Sequence, residues 1–315
     1  MARPLRVTYP GAFYHITARG NERKAIFKSI RDREKLLEYC ESATERYNAV
    51  IHAYCLMDNH YHLLLETPSG NLSKILAHIN GAYTSYFNAK RGRCGHLFQG
   101  RYKAILIEAD GYAIELSRYI HLNPVRARLS QTPEDYKWSS YAAYIGKEKV
   151  PDWLKVNFIL GYFGKTLSAA QRDYRCFVDK LTGQEYDSPL KGAINSTMLG
   201  SKEFIGMIQG RYLAGKSDDK DLPALKAFMP KPTMEDIEKH VDHVIEDKKM
   251  FSRNVMIYLS QKLTGKNLDE IGRHFNIGGS AVCQAARRII EKIEQDDDLK
   301  NALAEMEGHL KRIGS

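Results

Sequence analysis

Short apolar runs alternate with longer amphipathic stretches over the first 130 residues. The short runs lie at residues 13–18, 50–57, 61–66 and 102–107. Their length and their β-branched and aromatic content are typical of β-strands. Gly20-Asn21 follows the first run, and Asp58-Asn59 separates the second from the third. A two-residue break of this kind predicts a β-hairpin.

Between these runs, apolar positions recur every three or four residues. This spacing predicts amphipathic helices over 32–47 and 71–88, and a third from Asp110 that Pro124 ends. Asp110 is the expected helix cap. The order β-α-β-β-α-β-α predicts an α+β fold, a ferredoxin-like antiparallel sheet with helices on one face.

The remainder of the chain is predicted to be mostly helical. Residues 151–232 show apolar patches and end in three prolines, at positions 223, 230 and 232, which is typical of a linker. Residues 233–315 contain predicted helices over 254–263 and 268–275, followed by a glycine turn and a longer helix capped by Ser280. This spacing predicts a helix-turn-helix. We therefore expect three segments, 1–150, 151–232 and 233–315.

Charge and composition narrow the class of protein. The chain has 315 residues, of which 43% are hydrophobic, so it can form a packed core. It has no apolar stretch long enough to span a membrane, and its five cysteines form no CxxC pair. The first residues contain no long apolar run, so we do not expect a secretory signal. We expect a cytoplasmic protein with reduced thiols. Residues 1–130 hold 19 Lys and Arg against 11 Asp and Glu, whereas the rest holds 28 against 27. The basic first part indicates a polyanionic partner, of which nucleic acid is the commonest.

Two pairs of residues could carry chemistry. His60 and His62 lie two apart on a predicted strand, so both imidazoles can reach one ion. Two surface or structural histidines are the alternative. Tyr119 and Asn123 lie four apart and share a helix face. The Asn123 carbonyl suits Mg²⁺ or Mn²⁺, but a tyrosine packed on the sheet and a cap before Pro124 are equally open from spacing alone.

Four separated motifs resemble one family of enzymes. Tyr54–Leu65 (YCLMDNHYHLLL) is similar to the His-hydrophobic-His motif of HUH single-strand endonucleases, and Arg118–Ala127 (RYIHLNPVRA) resembles the nucleophile helix of IS200/IS605-type Y1 transposases, most closely their REP-associated group. Gly11–Asn21 and Trp138–Tyr141 resemble further motifs of that group. The resemblance covers about residues 1–145.

The resemblance implies a function and a set of site residues. Tyr119 would be the nucleophile of a metal-dependent transposase that nicks and joins single-stranded DNA next to hairpins. His60, His62 and Asn123 would hold Mg²⁺ or Mn²⁺, with Asn123 where insertion-sequence members usually carry Gln. The protein would work as a monomer or a homodimer in the bacterial cytoplasm, associated with the nucleoid.

Residues 250–290 resemble the helix-turn-helix domain of the replication initiator DnaA. The similarity lies in Arg253–Leu259 and Leu268–Phe275, whereas the family's Arg-Asp-His-Ser-Thr stretch is replaced by Gly278–Val282. We therefore expect the shape of that domain, a possible double-stranded DNA partner, and a different sequence specificity.

Several basic and polar residues are predicted to contact DNA. They are Arg19, Arg23, Arg101, Lys103, Arg118 and Arg126 near the first site, and Ser280, Gln284, Arg287 and Arg288 at or near the start of the predicted recognition helix. Tyr102 and Phe98 are candidates for stacking on bases. The competing hypothesis is a non-catalytic DNA-binding regulator or architectural protein with the same fold. A hydrolytic metalloenzyme acting on small substrates is a third, weakened by the lack of a HExxH motif.

Overall fold

The computed structural model describes residues 7–194, 197–213, 232–245 and 249–313. These residues fall into two compact units, divided after residue 214. Residues 151–194 and 197–213 of the predicted middle segment belong with the first unit. The division into three functional segments stays a prediction. Pro223 and Pro230 of the predicted linker lie outside the described residues.

The first unit contains a five-stranded sheet. Its strands are β1 (Ala12–Arg19), β2 (Val50–Met57), β3 (His60–Thr67), β4 (Lys103–Ile107) and β5 (Met198–Leu199). The order across the sheet is β2-β3-β1-β4-β5, and every pair is antiparallel except β4 with β5. The predicted α+β fold and the hairpin across Asp58-Asn59 are confirmed. The two-residue strand β5 was not predicted, because so short a run gives no periodic signal.

Seven α-helices surround this sheet in the described part of the first unit. They are α1 (Ile30–Tyr47), α2 (Leu72–Lys90), α3 (Asp110–Arg126), α4 (Tyr141–Tyr144), α5 (Asn157–Leu160), α6 (Leu167–Asp179) and α7 (Lys202–Ile208). The Tyr61 hydroxyl on β3 donates to Asn80 on α2, with 2.7 Å between the oxygens, so α1 and α2 cover the face of the sheet to which Tyr61 points. The next side chain, His62, points to the opposite face, where α3 packs against β2 and β3. The prediction that the helices lie on one face is therefore wrong, because a helical period shows that a helix has an apolar face but not which side of the sheet it covers.

Helix α3 differs from its predicted bounds at both ends. Asp110 is its first residue rather than its cap, and its carboxylate accepts a hydrogen bond from the Tyr162 hydroxyl at 3.0 Å. Pro124 lies inside the helix, which continues to Arg126. A proline near a C-terminus removes one backbone donor, and the next turn still closes because the Ala127 N–H donates to the Asn123 carbonyl at 2.9 Å. Arg126 therefore stays on the same helix as Tyr119.

A buried polar network joins α6 to α3 and β2. The Tyr174 hydroxyl on α6 lies 2.7 Å from Nδ1 of His121 and 3.0 Å from the Ser117 hydroxyl, both on α3. Nε2 of His121 lies 2.7 Å from the Ser140 hydroxyl, which in turn accepts from the Tyr54 backbone N–H at 3.0 Å. Buried polar groups paired in this way have fixed positions. The middle segment therefore holds α3 against its own sheet.

The second unit is helical in its described part. Its helices are α8 (Met234–Val244), α9 (Lys249–Leu263), α10 (Leu268–His274), α11 (Gly279–Ile293) and α12 (Asp297–Ile313), around one apolar core. Helix α9 begins five residues earlier than predicted. Gly278 is the N-cap of α11, so Ser280 lies in its first turn and is not the cap. A side chain at Gly272 would place its Cβ 2.5 Å from the Ile277 carbonyl oxygen, so the turn needs glycine there. Nowhere in the described ranges is a helix both long and apolar enough to cross a membrane.

Candidate active site

The strands β1 and β3 place four polar side chains on the α3 face of the sheet. His60 and His62 alternate with Tyr61 on β3, and Thr17 of β1 lies directly opposite His62. The His60 and His62 ring centroids are 4.9 Å apart. His15, two residues before Thr17, lies on the same face, and its ring stacks on that of His62 with 5.1 Å between centroids. The predicted convergence of the two histidines is therefore seen in the structure.

Helix α3 places the predicted nucleophile against these histidines. The Tyr119 ring lies 6.0 Å from the centroids of both His15 and His62 and is nearly perpendicular to each. Asn123, one helical turn further on, is 9% exposed. Its amide nitrogen donates to the Tyr119 carbonyl at 2.8 Å. That bond leaves the amide oxygen as the atom of Asn123 that can bind a cation.

Burial keeps the three imidazoles of the site neutral. The pKa of His60 is lowered to about 4 by desolvation and then by the charge of Arg19. Desolvation, followed by the charges of Lys103 and His60, lowers the pKa of His15 to about 3. The pKa of His62 lies well below its ordinary value, again mainly because the ring is buried. Neutral imidazole is the form that binds metal ions.

One atom of the site has no partner of its own. Nε2 of His62 is buried and has no hydrogen-bond partner among the described residues, although buried ring nitrogens are normally paired. Two imidazole nitrogens and the Asn123 amide oxygen suit a divalent ion such as Mg²⁺ or Mn²⁺. No group of three or more His, Cys, Asp or Glu side chains in the described ranges could hold a metal. By donor chemistry, the residues present fit the ion, with the Asn123 amide oxygen as the third ligand.

Exposed cations surround this site. Arg19 on β1 lies opposite His60 on β3, and Lys103 on β4 lies opposite Thr17 on β1. The guanidinium of Arg126 lies 5.0 Å from the Tyr119 ring centroid and 5.1 Å from that of Tyr186. In the part of the chain that the structure describes, no carboxylate lies within ion-pairing distance of the predicted contacts Arg19, Arg23, Arg101, Lys103 and Arg126. These positive charges are available to phosphates.

Two predicted contacts are used by the protein itself. The Arg118 guanidinium stacks on the Phe177 ring with 3.9 Å to the centroid, donates to the Phe177 carbonyl and pairs with Glu115. Its side chain is 13% exposed, so we leave Arg118 out of the proposed DNA contacts. Phe98 is buried among aromatic rings and is a core residue. The prediction that it stacks on bases is therefore wrong. In sequence, a buried apolar ring next to a strand end is easily mistaken for a surface ring.

The predicted contacts of the second unit share one face of α11. Ser280, Gln284, Arg287 and Arg288 are all exposed, whereas the four core residues of this helix are buried. Arg287 pairs with Glu291 one turn along, at 3.0 Å. Helices α10 and α11 lie where a helix-turn-helix was predicted, and the resemblance to DnaA stays a prediction.

Residues 8–123 match the family model of IS200-like transposases. The resemblance drawn from the motifs is thereby confirmed for a little over a third of the chain, the part that contains His60, His62, Tyr119 and Asn123. A comparison with curated proteins gives no match. Among solved structures, the REP-associated tyrosine transposase bound to a REP hairpin aligns with 19% identity and a TM-score of 0.41, over 50% of this chain and 93% of that one.

The sequence interpretation missed several side chains that lie beside the candidate site residues. His15 and Thr17 lie two apart on β1, and this period of two was the available signal. Asn59 was assigned only to a turn, yet its side chain contacts His60. Tyr186 lies in the middle segment, where no local pattern indicated that its ring would approach Arg126.

Proposed function

We propose that this protein is a metal-dependent single-stranded DNA endonuclease and strand transferase, a transposase that cuts next to DNA hairpins. The observation that carries the proposal is the contact between Tyr119 on α3 and the rings of His62 and His15 on the facing strands. Tyr119 provides a nucleophile, the neutral imidazoles of His60 and His62 provide candidate metal ligands, and the surrounding cations provide a phosphate-binding surface. The family match of this segment supports the same chemistry.

The reaction replaces one phosphate ester bond with another. The Tyr119 hydroxyl oxygen attacks phosphorus, and the bond between phosphorus and the 3′ oxygen breaks. The phenol proton is lost and the departing oxygen takes up a proton, which leaves a 3′-OH end and a 5′-phosphotyrosine. A second 3′-OH can then attack the phosphotyrosine and join a strand without ATP.

The side chains of the site divide the work. His60, His62 and Asn123 would hold Mg²⁺ or Mn²⁺, which when bound neutralises charge on the scissile phosphate. Arg126, beside the Tyr119 ring, attracts the same phosphate. Because the Tyr174–His121 network holds α3 on its own sheet, we propose that one chain supplies the complete site, in a monomer or in each subunit of a homodimer.

The two units would bind different forms of DNA. The exposed Arg19, Arg23, Arg101 and Lys103 would follow the backbone of single-stranded DNA next to a hairpin. Ser280, Gln284, Arg287 and Arg288 on α11 would contact double-stranded DNA.

A covalent-capture assay tests the nucleophile. Labelled single-stranded DNA carrying hairpins from the flanks of the gene is incubated with the protein and Mg²⁺ or Mn²⁺, then separated on a denaturing gel. We expect a protein–DNA adduct that EDTA removes and that Tyr119→Phe abolishes. Tyr186→Phe is the matched control, because that ring also lies against Arg126, and it should retain the adduct.

Two outcomes would change the proposal. An adduct that persists in Tyr119→Phe and disappears in Tyr186→Phe would show that Tyr186, and not Tyr119, is the nucleophile. Retarded DNA on a native gel, with no adduct for any variant or metal, would favour the non-catalytic DNA-binding protein.

A further inference from the structure

Each of the two proposed metal histidines is hydrogen-bonded through the same ring nitrogen. Nδ1 of His60 lies 2.6 Å from the side-chain oxygen of Asn59, and Nδ1 of His62 lies 2.9 Å from Nε2 of His15. In each ring, Nε2 is the nitrogen that has no hydrogen-bond partner among the described residues. A neutral imidazole carries one hydrogen, so the partner of Nδ1 decides whether Nε2 presents a lone pair or an N–H.

The bond at His60 has an unambiguous direction. The Asn59 amide nitrogen donates to the Arg23 backbone carbonyl at 2.9 Å, and a carbonyl can only accept. The amide oxygen is therefore the end that faces His60. Since that oxygen also only accepts, Nδ1 of His60 carries the hydrogen and Nε2 presents its lone pair.

The bond at His62 can be drawn in two ways. If His15 donated, His62 would carry its hydrogen on Nε2, where a buried N–H would have no partner among the described residues. If His62 donates, His15 accepts, the Thr17 hydroxyl oxygen at 3.3 Å can share the same hydrogen, and Nε2 keeps its lone pair. Leaving a buried donor unpaired is the costlier arrangement.

We propose that His15 and Asn59 are positioning residues that fix the Nδ1–H forms of His62 and His60, so that both rings present Nε2 lone pairs to one divalent cation. The identity of the ligand rests on the proposed function. The ring forms are a property of the metal-free protein. They can therefore be measured whether or not the protein cuts DNA.

Nitrogen-15 NMR of the histidine rings in the metal-free, full-length protein tests the ring forms directly. We expect both His60 and His62 to be Nδ1–H in the wild type. His15→Phe, which fills the same space without an acceptor, should shift His62 to Nε2–H or to a mixture, and Asn59→Ala should do the same to His60. His15→Gln restores an acceptor and should keep His62 as Nδ1–H. Thr17→Val removes the second oxygen near His62 and should leave its ring form unchanged.

Binding of Mn²⁺, followed by the loss of the free-ion electron paramagnetic resonance signal, provides the second measurement. His15→Phe should weaken binding about 10- to 100-fold, the usual cost of losing the partner of a metal-bound histidine. His15→Gln and Thr17→Val should bind close to the wild-type value. Circular dichroism checks that each variant is folded. If His15→Phe is not, Asn59→Ala still tests the inference, because an unchanged ring form of His60 in that variant would overturn it.

The outcomes separate this inference from the proposed function. The role of His15 would be overturned if His62 is Nε2–H in the wild type. It would also be overturned if neither His15 variant changes the ring form of His62 and the affinity for Mn²⁺. If the ring forms and Mn²⁺ binding agree with expectation but no DNA adduct forms, the inference stands and the proposed reaction is wrong.

Discussion

The two units of this protein arrange their polar residues in opposite ways. In the first unit, imidazoles and an amide are buried where two strands face a helix, and each is held by a specific partner. In the second unit, the predicted DNA contacts are exposed on the outer face of α11, while its apolar residues form the core. Chemistry on a phosphate needs groups fixed by tertiary structure, whereas recognition of DNA needs a helix face and positive charge. The first unit should therefore be sensitive to single buried substitutions, and the second tolerant of them.

Removal of one buried imidazole should give the largest effect. We expect His62→Ala to slow formation of the DNA adduct at least about 100-fold, because it removes a proposed metal ligand and one of the two imidazole rings that contact Tyr119. Binding of the same variant to double-stranded DNA, measured by fluorescence anisotropy, should be unchanged. His78→Ala serves as the control, because that half-buried ring bonds to Ser42 between α1 and α2, on the other face of the sheet. Equal adduct formation by His62→Ala and wild type would remove the contrast between the units.

Acid should affect the first unit more than the second. Burial holds the pKa of His60 at about 4 and that of His121 at about 3 in the folded protein, against about 6.5 in an unfolded chain. Between those values the unfolded chain binds more protons, so the free energy of unfolding decreases as pH falls from about 6.5 toward 4. In the second unit, the pKa of His240 is lowered as well, so acid should destabilise that unit in the same direction. That ring is only half-buried, and we expect the effect there to be smaller.

Amide hydrogen exchange of the metal-free protein would measure this difference. After correction for intrinsic exchange rates, peptides from β1 and β3 should lose more protection between pH 7 and pH 5 than peptides from α11. Equal losses would show that the buried histidines of the first unit do not dominate its response to acid.

The same contrast explains what could be predicted from sequence. The order of strands and helices along the chain and the shared face of His60 and His62 follow from local periods of two and 3.6 residues, and the hairpin follows from Asp58-Asn59. The roles of His15, Asn59 and Tyr174 depend on which elements meet in space, and local pattern carries no record of that. The bounds of α3 were misjudged for a related reason, since the effect of Pro124 depends on whether the following turn can close. The exposure of Ser280, Gln284, Arg287 and Arg288 follows from the periodicity of one helix, whereas their contact with DNA stays a prediction.

The brace between α6 and α3 should contribute a moderate amount to stability. We expect Tyr174→Phe to lower the free energy of unfolding of the first unit by about 1–3 kcal/mol, because His121 and Ser117 lose a buried partner. Tyr162→Phe removes a comparable hydroxyl at an exposed position, where it bonds to Asp110, and should cost less than about 0.5 kcal/mol. Urea unfolding followed by circular dichroism compares the two. Similar losses in both variants would mean that the network does not hold α3 in place.

The smallest effect is expected on the exposed face of α11. Arg288→Ala removes one positive charge without disturbing the core, so it should weaken binding to double-stranded DNA only modestly and for all sequences alike. If the guanidinium contacts a phosphate, the slope of the logarithm of affinity against the logarithm of salt concentration should fall by about 0.9. Lys300→Ala removes the same charge from α12, where the lysine pairs with Asp297 at 3.8 Å, and should leave the slope unchanged. Equal changes in both variants would mean that the second unit responds to its net charge, whereas a change confined to Arg288→Ala would assign DNA contact to the outer face of α11.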